Sequence, residues 1–162
     1  MRAYFFGNMY LSSIQQGIQA GHVIGELFVS YPESSILRTG DMSSEGKLLW
    51  EWACDHKTMI LLNGGYSENI HKLCEFFDAY QNTYPWAYFN ESKDALDGAL
   101  TCVGIVLPEK IYETAKLLRE GGIDDTFLDH VVFNPNNPEE EWTFSKWEMK
   151  LMDELNKHGM AQ

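Results

Sequence analysis

The sequence predicts an α/β fold, a three-layer-like sandwich in which helices flank a mixed four-stranded sheet. Two observations carry that expectation. β-favouring apolar runs alternate with stretches of helical apolar spacing in the order β-α-(α)-β-α-β-β-α. Serine caps, prolines and glycine pairs stand where those helices would start and stop. No internal repeat interrupts the series.

The first strand is expected over Arg2 to Met9, where Tyr4, Phe5, Phe6 and Met9 favour extended backbone. Ser12 or Ser13 then caps a helix in which Ile14, Ile18, Val23, Ile24, Leu27, Phe28 and Tyr31 recur at helical spacing, and Pro32 ends it. Gly17, Gly21 and Gly25 fall every fourth residue on one face of that helix. Because glycine weakens a helix by about 1 kcal/mol relative to alanine, the stripe predicts close packing on the sheet, with approach by a ligand as the alternative. The Ser-, Gly- and charge-rich stretch from Pro32 to Lys47 reads as an exposed loop, with 33–47 as an insertion. A short helix through Leu48, Trp50, Trp52 and Ala53 leads to Thr58-Met59-Ile60-Leu61-Leu62, whose lack of polar alternation predicts a central strand. Asn63-Gly64-Gly65-Tyr66-Ser67 follows, with Ser67 expected to cap the helix Glu68 to Tyr80.

Pro85 to Phe89 and Leu100 to Leu107 are the third and fourth strands, with Gly98 marking the turn between them. Pro108 opens a helix that ends at Gly121-Gly122. The last forty residues hold a Pro/Asn-rich turn, NPNNPEEE, and a helix boxed by Ser145 and Glu148, with Trp147, Leu151 and Leu155 on its apolar face. The expected organisation is an α/β domain over 1–122 and a C-terminal extension over 123–162, packed on that domain or at a homodimer contact.

Composition narrows the functional classes. The chain has 162 residues, 44% of them hydrophobic, and 24 Asp plus Glu against 12 Lys plus Arg give a formal net charge of -12. Such a charge opposes binding to a phosphate backbone, so a general nucleic-acid binder is not expected. No apolar run approaches the roughly 18 to 20 residues needed to span a bilayer, and MRAYFFGNMY lacks a signal-peptide core. The three cysteines, Cys54, Cys74 and Cys102, have neither disulfide-framework nor zinc spacing, so no metal and no cofactor is expected and a cytoplasmic location follows. Aromatics make up 14% of the chain, which predicts that some lie at a binding surface.

Several residues are candidates for chemistry. Gly64 and Gly65 lead from a strand into a helix N-terminus, a place that favours an anion, although a plain tight turn with a serine cap is the better account of the pattern. His22 follows Gln15 and Gln19 on a similar helix face, so three neutral hydrogen-bonding groups would line one pocket; a lone, satisfied imidazole is the alternative. Glu91 and Thr101 face each other across the turn between the last two strands of the sheet and would supply a carboxylate and a hydroxyl. No nucleophile elbow is visible.

The stretch FFGNMYLSSIQQGIQAGHVIGE resembles the first strand and helix of the type-2 peptidyl-tRNA hydrolases, whose usual wording is close to RxDLxMSxGKxAAQxxHA. Aligned on QxxH, Gln19 and His22 match, Ser12 matches the capping serine, and Met9 and Leu11 stand for the family's Leu and Met. ILLNGGYSENIHKL, a strand ending in an acid at Glu91, and the Thr-bearing strand TCVGIVLP agree in order, so the resemblance covers residues 2–120. It implies the family's fold and a cleft lined by Asn8, Gln15, Gln19, His22, Glu91 and Thr101. It also implies Glu91, Thr101 and His22 as the catalytic set of an active member. In the same register the family's Arg falls on Phe6, its Asp on Asn8 and its catalytic Lys on Gln15, so three charges are lost. A peptidyl-tRNA hydrolase needs charge-assisted donors near its ester, which makes tRNA an unfavoured partner here.

Three functions follow as expectations. The first is a divergent, non-hydrolysing relative whose cleft, with Asn63, Gly64 and Gly65, binds a nucleotide-like small molecule or a host protein, in a viral counter-defence role by analogy. The second is an active hydrolase of peptidyl-tRNA or a related ester. The third is an acidic interaction module that uses exposed tryptophans of the last forty residues.

Overall fold

The computed structural model describes residues 1–32, 42–123 and 132–161. Strand β1 (Arg2–Gly7) leads to helix α1 (Ser13–Ser30), α2 (Ser44–Glu51) and one π-helical turn over Trp52–His56. Strand β2 (Met59–Asn63), helix α3 (Ser67–Phe77), strand β3 (Trp86–Asn90), the short α4 (Lys93–Leu96) and β4 (Leu100–Leu107) follow. Helix α5 (Glu109–Arg119), the hairpin β5 (Val132–Asn134) and β6 (Asn137–Trp142), and α6 (Lys146–Lys157) complete the order. The protein is thus mixed α/β, with a four-stranded mixed sheet in the order β2-β1-β4-β3. β1 runs parallel to β2 and antiparallel to β4, and β4 runs antiparallel to β3.

The middle of this sheet belongs to β1 and β4. Every residue of β4 is buried, which is what a strand covered on both faces requires. One face of the sheet carries Ala3, Phe5, Ala87, Cys102 and Val106 against Ala20, Val23 and Leu27 of α1 and Leu49 of α2. On the other face Phe6 meets Phe77 of α3 at 5.9 Å between ring centroids, and Phe77 meets Trp86 at 6.2 Å. The approach of α1 depends on Gly104, where an added Cβ would lie 2.7 Å from Phe5 and 2.9 Å from Val23. A side chain there would have to push the helix off the sheet.

Five sequence expectations are corrected. β2 lies at an end of the sheet and not in its centre. Its apolar run is explained by residues beyond it in the chain: Asn63 N–H donates to Gly159 C=O at 2.9 Å, Ala161 N–H donates to Leu61 C=O at 3.0 Å, and Leu62 bridges Met160. Gly17, Gly21 and Gly25 face solvent, with nothing within 4 Å of an added Cβ, so the stripe is not a packing surface within the described chain. The segment NPNNPEEE is only partly a turn, because Asn137–Trp142 is a strand paired with β5. Ser67 begins α3 but does not cap it; Asn69 accepts from the Tyr66 N–H at 3.1 Å. The expected loop over 33–47 lies mostly outside the described residues, and Ser44 to Lys47 are already helical.

The chain divides into two units: Met1–Leu107 with residues 159–162, and Pro108–His158. The boundary thus falls after β4 and not at 122, and the last residues return to the first unit. Within the second unit α5 and α6 are tied by Lys110 Nζ to Glu148 at 2.6 Å and by Asn156 Nδ2 donating to Ala115 C=O at 2.8 Å. Ser145 and Glu148 form the expected capping box. Trp142 and Trp147 are buried there, because an indole gains most by leaving water, so they are not the exposed tryptophans that an interaction module would present.

Candidate functional site

Gln19 joins the two residues that the sequence places on either side of the β3–β4 turn. Its Nε2 donates to Glu91 Oε1 at 2.7 Å, and its Oε1 accepts from the Thr101 hydroxyl at 3.1 Å. The orientation of the amide follows from its partners, since an ionised carboxylate can only accept and the hydroxyl donates. The same hydroxyl lies 3.3 Å from the Phe89 C=O, so one proton is shared between two acceptors. Local folding explains the meeting. Gln19 is on the sheet-facing side of α1, Thr101 is near the start of β4, and Glu91 follows a register shift after Phe89 that turns the end of β3.

Burial separates the roles of these three. Thr101 is 1% exposed and Gln19 5%, whereas Glu91 is half-buried. A molecule arriving from solvent therefore meets the carboxylate first and the hydroxyl not at all. His22, one turn after Gln19, is exposed and lies flat on Phe89, with ring centroids 4.4 Å apart and planes inclined by 15°. It is thus a surface ring backed by an aromatic and not a buried imidazole.

The other candidates are held by the fold. Asn8 is buried and all its polar groups are engaged: Nδ2 donates to Ser67 Oγ at 3.0 Å and approaches Leu100 C=O at 3.4 Å, Oδ1 accepts from Tyr10 N–H at 3.1 Å, and its own N–H donates to Thr101 C=O at 2.9 Å. It staples the end of β1 to the starts of β4 and α3. Gln15 does not reach the cleft; its Oε1 accepts from the Ser12 N–H and hydroxyl, each at 3.0 Å, as the far half of a capping box. At the glycine pair, Gly64 N–H donates to Gly7 C=O at 2.8 Å and Gly65 N–H to Asn63 Oδ1 at 2.9 Å. Both amides are spent inside a tight turn in which Gly65 has φ of +77° and a Cβ on Gly64 would meet Phe6 backbone at 2.9 Å.

Against protein-family models and curated proteins the chain matches none. What the site can do therefore rests on its own atoms. Among the described residues no group of three or more His, Cys, Asp or Glu has the geometry to hold a metal, and no helix is long and apolar enough to cross a membrane.

Two features were not legible beforehand. Phe89 supplies both the ring under His22 and the carbonyl beside Thr101; its strand was visible in the sequence, but not that Phe89 would turn towards α1. A second hollow, of about 850 Å³, lies between α3 and β3 and is lined by His71, Cys74, Glu75, Asp78, Trp86 and Tyr88 among others. Its signal was the alternation of Trp86 and Tyr88 on one face of a strand beside polar residues at helical spacing. Burial pushes the Cys74 thiol up to about 12, and that of Cys102 likewise to about 12, so both stay protonated at neutral pH and neither is an activated nucleophile.

Proposed function

We propose that this chain is a divergent relative of the type-2 peptidyl-tRNA hydrolases that binds a nucleotide-like small molecule through its base and does not hydrolyse it. The observation that carries the reading is the Gln19 bridge between Glu91 and Thr101. A buried hydroxyl shared between an amide and a main-chain carbonyl is poorly placed to orient an ester, and the lysine of the resembling family is replaced by Gln15, whose side chain caps its own helix. Binding asks less of the same atoms. The half-buried Glu91 carboxylate, held on one oxygen by Gln19, can accept N–H donors from the edge of a planar heterocycle. The His22 ring, stiffened by Phe89, offers a face for stacking. The meeting of Gln19, Glu91 and Thr101, remote in sequence, supports the resemblance stated above.

The test uses nucleosides as probes, since the net charge of -12 works against polyphosphates. Guanosine, adenosine, cytidine and uridine are titrated by calorimetry and saturation-transfer NMR into the wild type and Glu91→Gln. At least one nucleoside should bind the wild type, and Glu91→Gln should weaken it by about tenfold or more, as expected when a charged acceptor is lost. No nucleoside binding, or binding unchanged in Glu91→Gln, removes the reading. Release of the peptide from peptidyl-tRNA in a single-turnover assay, above background and abolished by Thr101→Val, replaces it with hydrolysis.

A further inference from the structure

The sheet has two ends, and the chain treats them differently. β2 receives residues 159–161 as an added stretch of backbone, through the Asn63 and Leu61 hydrogen bonds and the Leu62–Met160 bridge. β3 is the other end. Pro85 C=O accepts from Val106 N–H at 3.0 Å, which fixes the phase of the antiparallel ladder. Ala87 and Phe89 therefore turn their backbone groups towards β4, and Trp86 and Tyr88 turn theirs outwards. The Trp86 N–H reaches the Tyr31 hydroxyl oxygen at 3.5 Å, while the Tyr88 N–H and C=O have no partner among the described residues. β3 carries no lysine or arginine of the kind that usually blunts an edge, and Tyr88 is 49% exposed.

Both faces of this edge open into hollows in which carboxylates outnumber cationic side chains. On the α3 side Trp86 and Tyr88 stack, with centroids 6.1 Å apart and planes inclined by 28°, and form one wall of the 850 Å³ groove. Glu75 and Asp78 line the same groove with no ion pair among the described residues, and its Lys72 is neutralised by Glu68 at 3.1 Å. On the α1 side a hollow of about 600 Å³ runs along Ser30, Tyr31, Ala87 and Phe89, with Glu26 as its charged residue. A strand laid on β3 would send alternate side chains into these two hollows. In the first they meet two aromatic rings and two carboxylates, the surroundings that a guanidinium satisfies by stacking and ion pairing together.

We propose that the open edge of β3 takes up an extended, arginine-bearing segment of a protein partner as an added strand, with its basic side chains in the groove between β3 and α3. The α3-side groove contains none of Gln19, His22, Glu91 and Thr101, although Phe89 borders both the α1-side hollow and the His22 ring, and the proposal does not depend on what the Glu91 cleft binds. A second copy of the chain fits less well, since it brings the same net charge of -12 to a surface that is already acidic. Main-chain hydrogen bonds would give such a complex its geometry, and the groove its preference for basic side chains.

The test is a titration with a peptide of alternating arginine and valine, about six residues long, as a strand usually is. A control of equal charge has proline in place of valine, which removes the N–H donors a strand needs. The full chain should bind the first peptide at least about tenfold more tightly than the control. Hydrogen exchange of the Tyr88 amide should slow on binding. Tyr88→Pro removes an outward N–H and leaves the β4 ladder intact, and it should lose the preference. The double variant Glu75→Lys with Asp78→Lys, on the exposed side of α3 and at its C-terminal cap, should bind the arginine peptide at least about tenfold more weakly, and it decides the matter alone should Tyr88→Pro not fold. Equal binding of the two peptides, or wild-type affinity in the double variant, overturns the proposal. So does protection of the Tyr88 amide in a dimer without peptide, which gives the edge to a second copy. Binding that appears only after residues 33–41 are deleted gives the edge to the chain's own segment and overturns it equally.

Discussion

β2 and β3 occupy equivalent positions in the sheet, each paired on one side only within it, yet β2 is closed by residues from the far end of the chain and β3 is not closed by any described residue. Their sequences do not forecast this. The Met59–Asn63 run is nearly all apolar and reads as a central strand, while Trp86–Asn90 reads only as a strand, with nothing to mark it as an edge. The β2 reading fails at its start, where Met59 is exposed, and only Leu62 in that strand is buried. An edge is a property of backbone groups, and whether a strand's outer N–H and C=O are satisfied depends on which distant residues come to lie beside it.

Opening the closed edge is the strongest way to probe that difference. Removal of residues 159–162 frees Asn63 N–H and Leu61 C=O and strips the cover from Leu62. We expect a loss of about 2 kcal/mol in denaturant unfolding and concentration-dependent association by sedimentation, as β2 becomes a second open edge. Unchanged stability and a monomer at every concentration would mean that the C-terminal residues do not matter to β2.

The thiols beside the open edge give a pH signature of intermediate size. Burial raises Cys74 and Cys102 from an ordinary 9.0 to about 12 in the folded chain, so the native state keeps protons that the unfolded state releases. Their contribution is fully present below pH 9 and is lost as pH rises towards the folded values. The gap in stability between the wild type and Cys102→Ala should therefore shift against the wild type by about 1 kcal/mol between pH 8 and pH 10. A constant gap in urea melts would show that Cys102 ionises freely in the native state.

The smallest effect is expected at Gln15, which lies on neither edge. Gln15→Lys leaves helix propensity nearly unchanged but removes the acceptor for Ser12, so it should cost about 0.5 kcal/mol in thermal unfolding without altering arginine-peptide binding. A change in that binding would show that the first turn of α1, remote from Glu26 and Ser30, also bears on the β3 edge.

Periodicity and punctuation made most of the elements legible. The four strands of the sheet, α1 with its Ser12 cap, the start of α5 after Pro108 and the box of Ser145 with Glu148 all follow from short stretches of sequence. The candidate site was legible as a set of residues and less so as a set of roles. Gln19, Glu91 and Thr101 do meet, but Asn8, Gln15 and the Asn63 to Gly65 turn give their hydrogen bonds to the fold itself. The hairpin strand Asn137–Trp142 escaped because three consecutive glutamates and a proline look like a turn until a partner strand is present.

The sequence by itself determined which stretches are helix or strand, which faces are apolar and how acidic the whole is, because these follow from spacing and composition within a few turns of chain. Tertiary structure alone decided that Gly17, Gly21 and Gly25 face solvent, that Trp142 and Trp147 are buried, that β2 is capped from afar and that Gln19 clasps Glu91. A missing side chain, an indole or an amide can satisfy several environments equally well, and only the residues brought against it from elsewhere in the chain select one.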